Sequence, residues 1–409
     1  MMHLNKREFL QQIAASFGTY ALANTAGAEA PAVATDVWAS STQKLAATLL
    51  SPQANGVISP LSIWSALAMV HAGAQGETAK EITQALQMPN DPLAFTQNQQ
   101  VIQQLQHRIN KSPVKLHTGN RVWLNKTREV LPSYLQRLRL NHQANPGLVD
   151  FVHQPKASRE RINDWISQQT QGLVPELLGT DSITSMTRLV LTQAMYLKAP
   201  WAHAFDPRRT HDAPFTLTSG HQVAVSMMHQ AGDWLAGEIK QGSTQIKVVE
   251  LPYSHDDLRM VLFVPSSARG LADALTLLQK NWASKLSPQA VLLSMPRWKA
   301  RQSQSLTASL QQLGMRLAFT QGRADFSGIS AEQDLYISAM QHEAYVEVSE
   351  QGTEAAAATA AVMTMRAAAP IKPPLEVRAD RPFAWAVVDS TQRGVLFAGV
   401  VHDPRLADR

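Results

Sequence analysis

The chain has 409 residues, 44% hydrophobic and 17% charged, with 20 glycines and 22 prolines, a composition that excludes collagen-like, low-complexity and intrinsically disordered chains. The formal charge of +5 is dispersed, with nothing denser than Arg208-Arg209 or the stretch from Arg297 to Arg301, so no nucleic-acid partner is expected. The absence of cysteine removes a disulfide framework, a thiolate zinc site and a cysteine nucleophile, and no run of about 18 uninterrupted apolar residues suggests a membrane span.

At the N-terminus, Lys6-Arg7-Glu8-Phe9-Leu10 precedes a mildly apolar stretch, Ile13 to Ala23, and then Ala26-Gly27-Ala28. This reads as a secretory signal over residues 1–28, and its Lys-Arg-x-Phe-Leu pattern is similar to the twin-arginine export signal with Lys6 in place of the first arginine. A periplasmic or secreted protein is the expectation; an amphipathic N-terminal helix is the alternative reading of the same residues. No Pro/Ser/Gly-rich linker divides the remainder of the chain, which predicts one large domain or two tightly fused ones.

Helical periodicity comes next, at about 42–50. Ser59-Pro60 then offers an N-cap with proline in the first turn, followed by Leu61, Trp64, Leu67, Ala68 and His71 at helical spacing until Gly73. Further helical patterns cover about 78–87, 93–110, 129–139 and 157–170. Strand-like runs lie at Leu189 to Tyr196, Ile246 to Leu251 and Leu258 to Val264, the last two separated by a turn over Tyr253 to Asp257. Helices at about 270–281 and 303–313 bracket a strand at Val291 to Met295, and strands end the chain at Val346 to Val348, Ala384 to Val388 and Val395 to Val401. Helices early and strands late, without regular alternation, predict an α+β fold with antiparallel or mixed sheets.

The usual catalytic constellations are missing. There is no G-x-S-x-G elbow, no phosphate loop and no dinucleotide-binding turn. His342-Glu343-Ala344-Tyr345-Val346 begins like a zincin helix but has Val346 where the second ligand belongs, so no metal site and no enzyme are expected.

The informative segment runs from Glu350 to Pro370. Its alanines favour helix locally, and a surface helix or a flexible small-residue loop is one reading. With period two, however, Thr353, Ala355, Ala357, Thr359, Ala361 and Met363 share one face, and that face is small until Met363. Such a strand could enter between two existing strands over a closely packed core, because it brings few bulky or charged groups inward.

Glu350-x-Gly352-Thr353-Glu354-Ala355-Ala356-Ala357-Ala358-Thr359 resembles the reactive-centre-loop hinge of inhibitory serpins, and the chain is identified as a bacterial-type member of that family. The resemblance extends through Asn55 to Ile63, Gly73 to Thr78, Asn163 to Ile166, Leu189 to Trp201, Glu250 to Tyr253, Asp380 to Phe383 and Gly394 to Gly399, covering about residues 37–404 in family order. It implies three β-sheets, about nine helices and an exposed loop at about 350–370. It also implies a monomeric suicide-substrate inhibitor, without cofactor, that a serine protease attacks to form a covalent acyl complex. The cleaved loop then inserts into the central sheet and distorts the protease. An inserted strand of about a dozen residues adds on the order of ten hydrogen bonds at roughly 1 kcal/mol net each, comparable with the stability of an ordinary domain. The uncleaved state is therefore kinetically trapped.

The family count of fourteen residues from Gly352 places scission between Arg366 and Ala367. Arg366 is also the only charged residue between Glu354 and Lys372, and a guanidinium matches the carboxylate of a trypsin-like specificity pocket. The other readings are a solubilising arginine, or a register shifted to Met365 that suits chymotrypsin-like enzymes. The resemblance assigns Ser59, Ser62 and His342 to the polar shutter beneath the insertion site, with Gln193 where the family usually has asparagine. The extra methylene is expected to shift or replace that amide's bond to His342. Trp201 falls at the breach where the loop first enters, and Ala199-Pro200 stands in place of the family's Lys-Gly turn. A non-inhibitory carrier, chaperone or structural protein is the alternative function; the uniformly small hinge favours the inhibitor. The 93–110 helix has too few basic residues to argue for a polysaccharide cofactor.

Overall fold

Ser59 accepts a hydrogen bond from the Ser62 N–H and Pro60 fills the first turn, so a buried helix begins where the sequence predicts one. The computed structural model describes residues 36–89, 92–353 and 373–405. The segment 1–28, expected to be a secretory signal, lies outside them, as do Glu354 to Thr359, Arg366 and Ala367.

In chain order the elements are α1 (Asp36–Leu49), β1 (Gly56–Ile58), α2 (Pro60–His71), α3 (Gly76–Ala85), α4 (Pro92–Asn110), β2 (Lys115–Thr118), β3 (Arg121–Asn125), α5 (Pro132–His142), β4 (Gly147–Val149), α6 (Pro155–Gln169) and β5 (Leu189–Pro200). Then come β6 (His211–Thr216), β7 (Gln222–Gln241), β8 (Thr244–Pro252), β9 (Leu258–Pro265), α7 (Leu271–Leu278), β10 (Ser287–Pro296), β11 (Trp298–Ser305), α8 (Thr307–Gln312), β12 (Ile337–Ser349), β13 (Gly352–Thr353), β14 (Leu375–Arg378), β15 (Phe383–Asp389) and β16 (Val395–Val401). Eight α-helices thus occur among the described residues, against about nine expected.

One sheet has seven strands, ordered β11-β12-β13-β5-β3-β4 with β2 also on β5. The other has nine, ordered β1-β16-β15-β9-β8-β7-β10-β14 with β6 also on β7. The expected three sheets count as two by hydrogen bonding because the 20-residue β7 serves both parts of the larger one: it pairs with β6 and β10 as far as Ala236, and from Ala236 to Gln241 with β8. The principal core lies under the seven-stranded sheet, where α2 is buried along its whole length except at His71.

Two elements differ from the sequence reading. β7 carries Gly232, Gly237 and many polar residues, which lower strand propensity, yet Gly232 is where the Trp234 indole lies against the backbone. The helical pattern at 303–313 splits: residues up to Ser305 continue β11 in register with β12, and only Thr307–Gln312 are helical. The ladder to β12 outweighs local propensity there.

Candidate functional site

β5 and β12 run parallel and pair from Leu189↔Ile337 to Tyr196↔Tyr345. Beyond that pair they part, and β13 occupies the fork: Thr353 pairs with Val348 on β12 and Ala199 on β5, while Gly352 pairs with Ser349 and Pro200. Gly352 and Thr353 of the hinge are therefore already a strand of the sheet. Only glycine suits position 352, whose φ is +144° and whose Cβ would come within 2.7 Å of Pro200 Cα. Ala199-Pro200, substituted relative to the family turn, simply prolongs β5, and Pro200 faces Gly352 in the ladder.

The turn that reverses the chain is held through Glu350, which is 2% exposed. Its carboxylate accepts from Arg297 Nε at 2.7 Å and Thr210 Oγ1 at 2.6 Å, and its carbonyl from the Phe205 N–H at 2.8 Å. Burial pushes this carboxyl upward, but the bonds from Arg297 and Thr210 outweigh it and the group is held below its ordinary value. The stabilisation is thus present above the unfolded value near pH ~4.3 and is lost as pH falls through the folded one. Glu350→Gln is expected to cost about 1–3 kcal/mol, read as a lower urea midpoint at pH 7, with the gap to wild type closing below about pH 4.

Trp201 covers the same turn. Its indole donates to the Ser349 carbonyl at 2.9 Å, its backbone N–H donates to Gln351 O at 3.0 Å, and its ring stacks on Tyr253 with centroids 4.6 Å apart. Tyr253 in turn shares a buried hydrogen bond of 2.7 Å with the Thr353 hydroxyl. Thr210 was not singled out from the sequence, and Tyr253 and Arg297 were read there only as a turn residue and part of a basic stretch; each is remote from residue 350, and only tertiary pairing brings it there.

Below the fork lies the polar cluster. The Ser59 N–H donates to His342 Nε2 at 3.0 Å, and the Ser59 hydroxyl donates to Leu396 O at 2.8 Å. The Ser62 hydroxyl donates to Asn120 Oδ1 at 2.7 Å, a partner the sequence reading missed. Gln193 faces His342 as its ladder partner but makes no bond to it: among the described residues, both amide atoms and His342 Nδ1 are buried without a hydrogen-bond partner. The expected amide–imidazole bond is lost rather than shifted.

Burial holds His342 at about 3, and His71 and His142 at about 4, so all three are neutral in the fold at pH 7. Each takes up a proton on unfolding below about pH 6.5, so stability should fall as pH drops from there towards 4, by about 1.4 kcal/mol per pH unit per group. Urea midpoints at pH 7.5 and 5.0 check this, and His342→Gln should flatten the slope by one proton's worth.

Two mixed sheets, with a two-residue strand seated in the fork between parallel β5 and β12, define the architecture. The serpin (serine protease inhibitor) family model matches residues 36–404, and the chain belongs to that family. Leukocyte elastase inhibitor A of Rattus norvegicus is 35% identical over 87% of this chain and 94% of its own length. The leukocyte elastase inhibitor of Bos taurus is 36% identical over the same shares. Among solved structures, Serpin48 of the insect Tenebrio molitor superposes with a TM-score of 0.79 at 25% identity, covering 92% of this chain and 100% of that one.

Proposed function

We propose that this serpin inhibits trypsin-like serine proteases as a monomeric suicide substrate, cleaved between Arg366 and Ala367 and trapped by loop insertion between β5 and β12. The observation that carries the reading is the register of β13. Continued from Thr353, it sets Ala355 between Val346 and Leu197, Ala357 between Ala344 and Met195, and Thr359 between His342 and Gln193. Every one of those flanking residues is buried, so the small residues of the hinge meet the core-facing side of the fork. Thr359 arrives beside the unpartnered atoms of Gln193 and His342, which gives the zipper a polar latch at its middle.

Mixing the protein with trypsin, chymotrypsin or elastase, the protease in the relatives' names, tests the target. A denaturant-stable complex is expected with trypsin, with a released fragment beginning at Ala367. A complex formed with chymotrypsin alone would move the scissile bond to Met365, and one formed with elastase alone would set the arginine reading aside. Export by residues 1–28 is part of the proposal: the mature chain should begin near Glu29 or Pro31, and a mature chain starting at Met1 would overturn it.

A further inference from the structure

The seam between β5 and β12 closes on a pair of aromatic rings. Tyr196 and Tyr345 face each other in the last parallel pairing before the fork, with ring centroids 6.1 Å apart and planes tilted by 36°. On the other side of β5, His117 of β2 pairs with Tyr196 in the ladder and stacks on its ring, with centroids 5.7 Å apart and planes 13° apart. Three rings thus run in a row across three neighbouring strands. The last of them is held from beyond the seam as well: the Tyr345 hydroxyl donates to Glu347 Oε2 at 2.8 Å, and Glu347 pairs with Lys299 of β11 at 3.0 Å. Alternation along both strands puts the tyrosines on the face opposite the core residues Leu197 and Val346. Tyr196 is buried and Tyr345 half-buried, so the contact is largely shielded from water.

The register makes this pair an obstacle. Thr353 sits between Ala199 and Val348, each three residues beyond its tyrosine. Continued in that register, a longer strand meets the tyrosines at position 356, where the sequence has alanine. Neighbouring strands lie about 4.8 Å apart, so a strand seated there doubles the spacing between the two tyrosines' backbones and ends the ring contact. Aromatic pairs contribute beyond the area they bury, and an alanine returns none of that part. Since β5 and β12 have already parted above the pair, the tyrosines are the first paired position that an entering strand must separate.

We propose that Tyr196 and Tyr345 are positioning residues of the inhibitory reaction: their ring contact is a clasp that holds the seam shut below the fork and sets how fast the cleaved loop enters. The proposal rests on the insertion reading above, and two measurements keep the two apart. Amide hydrogen exchange of the intact protein tests the clasp without any protease. In Tyr345→Ala the amides around Tyr196 and Tyr345 should exchange about three- to tenfold faster than in wild type, while those around Leu189 and Ile337, at the far end of the seam, stay unchanged. Tyr345→Phe keeps the ring and loses only the bond to Glu347, so it should restore wild-type exchange. With trypsin in excess, Tyr345→Ala should also form the covalent complex about three- to tenfold faster. Exchange that Tyr345→Ala leaves unchanged or raises equally at both ends of the seam, or that Tyr345→Phe does not restore, would overturn the clasp. Faster exchange with an unchanged rate of complex formation would overturn its control of entry. Absence of a complex from wild type would instead overturn the insertion reading, and the exchange ratio would still decide whether the rings close the seam.

Discussion

Thr353→Arg is expected to abolish the covalent protease complex and turn the protein into a substrate that trypsin cuts and releases. Thr353 is fully buried between Val348 and Ala199, with its hydroxyl on Tyr253. The nearby buried carboxylate, Glu350, is already committed to Arg297 and Thr210. An arginine at 353 would therefore put an unpaired guanidinium into a closed core at a cost of several kcal/mol, enough to expel β13 from the fork in the uncleaved protein, and the same cost is met when the strand must re-enter on insertion. Since every 1.4 kcal/mol is tenfold in rate, even about 3 kcal/mol slows insertion more than a hundredfold, and deacylation wins the race. Thr353→Val, which keeps the shape, should still form the complex. Glu354→Arg should also inhibit nearly normally: the continued register sets residue 354 between Glu347 and Lys198, on the opposite face from Thr353. Denaturing gels of the three variants with trypsin check this, and equal complex formation by Thr353→Arg and wild type would remove insertion from the mechanism.

Arg366→Glu should reduce trypsin association by about a thousandfold or more with no change in unfolding midpoint. It replaces a charge-matched pair with two carboxylates in a desolvated pocket, a loss of several kcal/mol. Undiminished inhibition would place the attacked bond elsewhere in the loop.

Much of the scaffold was legible because its signals are local. The cap at Ser59-Pro60 and the Tyr253 to Asp257 turn needed only neighbouring residues, and β16 coincides with the predicted Val395 to Val401 run. The period-two reading of the hinge also rests on neighbouring residues; of its inward face only Thr353 lies among the described residues, and it is buried. What stayed hidden depends on residues far apart in the chain. Arg297 meets Glu350 across 53 positions and Asn120 meets Ser62 across 58, with nothing in their own surroundings to mark them. β7 was obscured by glycines that serve packing against Trp234 and the close passage of Lys285 rather than a turn. Gln193 pairs with His342 in the ladder, but the side chain one methylene longer leaves both amide atoms without a hydrogen-bond partner among the described residues.

The central claim is that the fork between β5 and β12 accepts the rest of the loop as a strand, and thermal unfolding of intact and loop-cleaved protein tests it most directly. About ten new ladder hydrogen bonds at roughly 1 kcal/mol each should raise the melting temperature of the cleaved protein by on the order of 20 °C. A cleaved protein that melts at or below the temperature of the intact one would contradict the account.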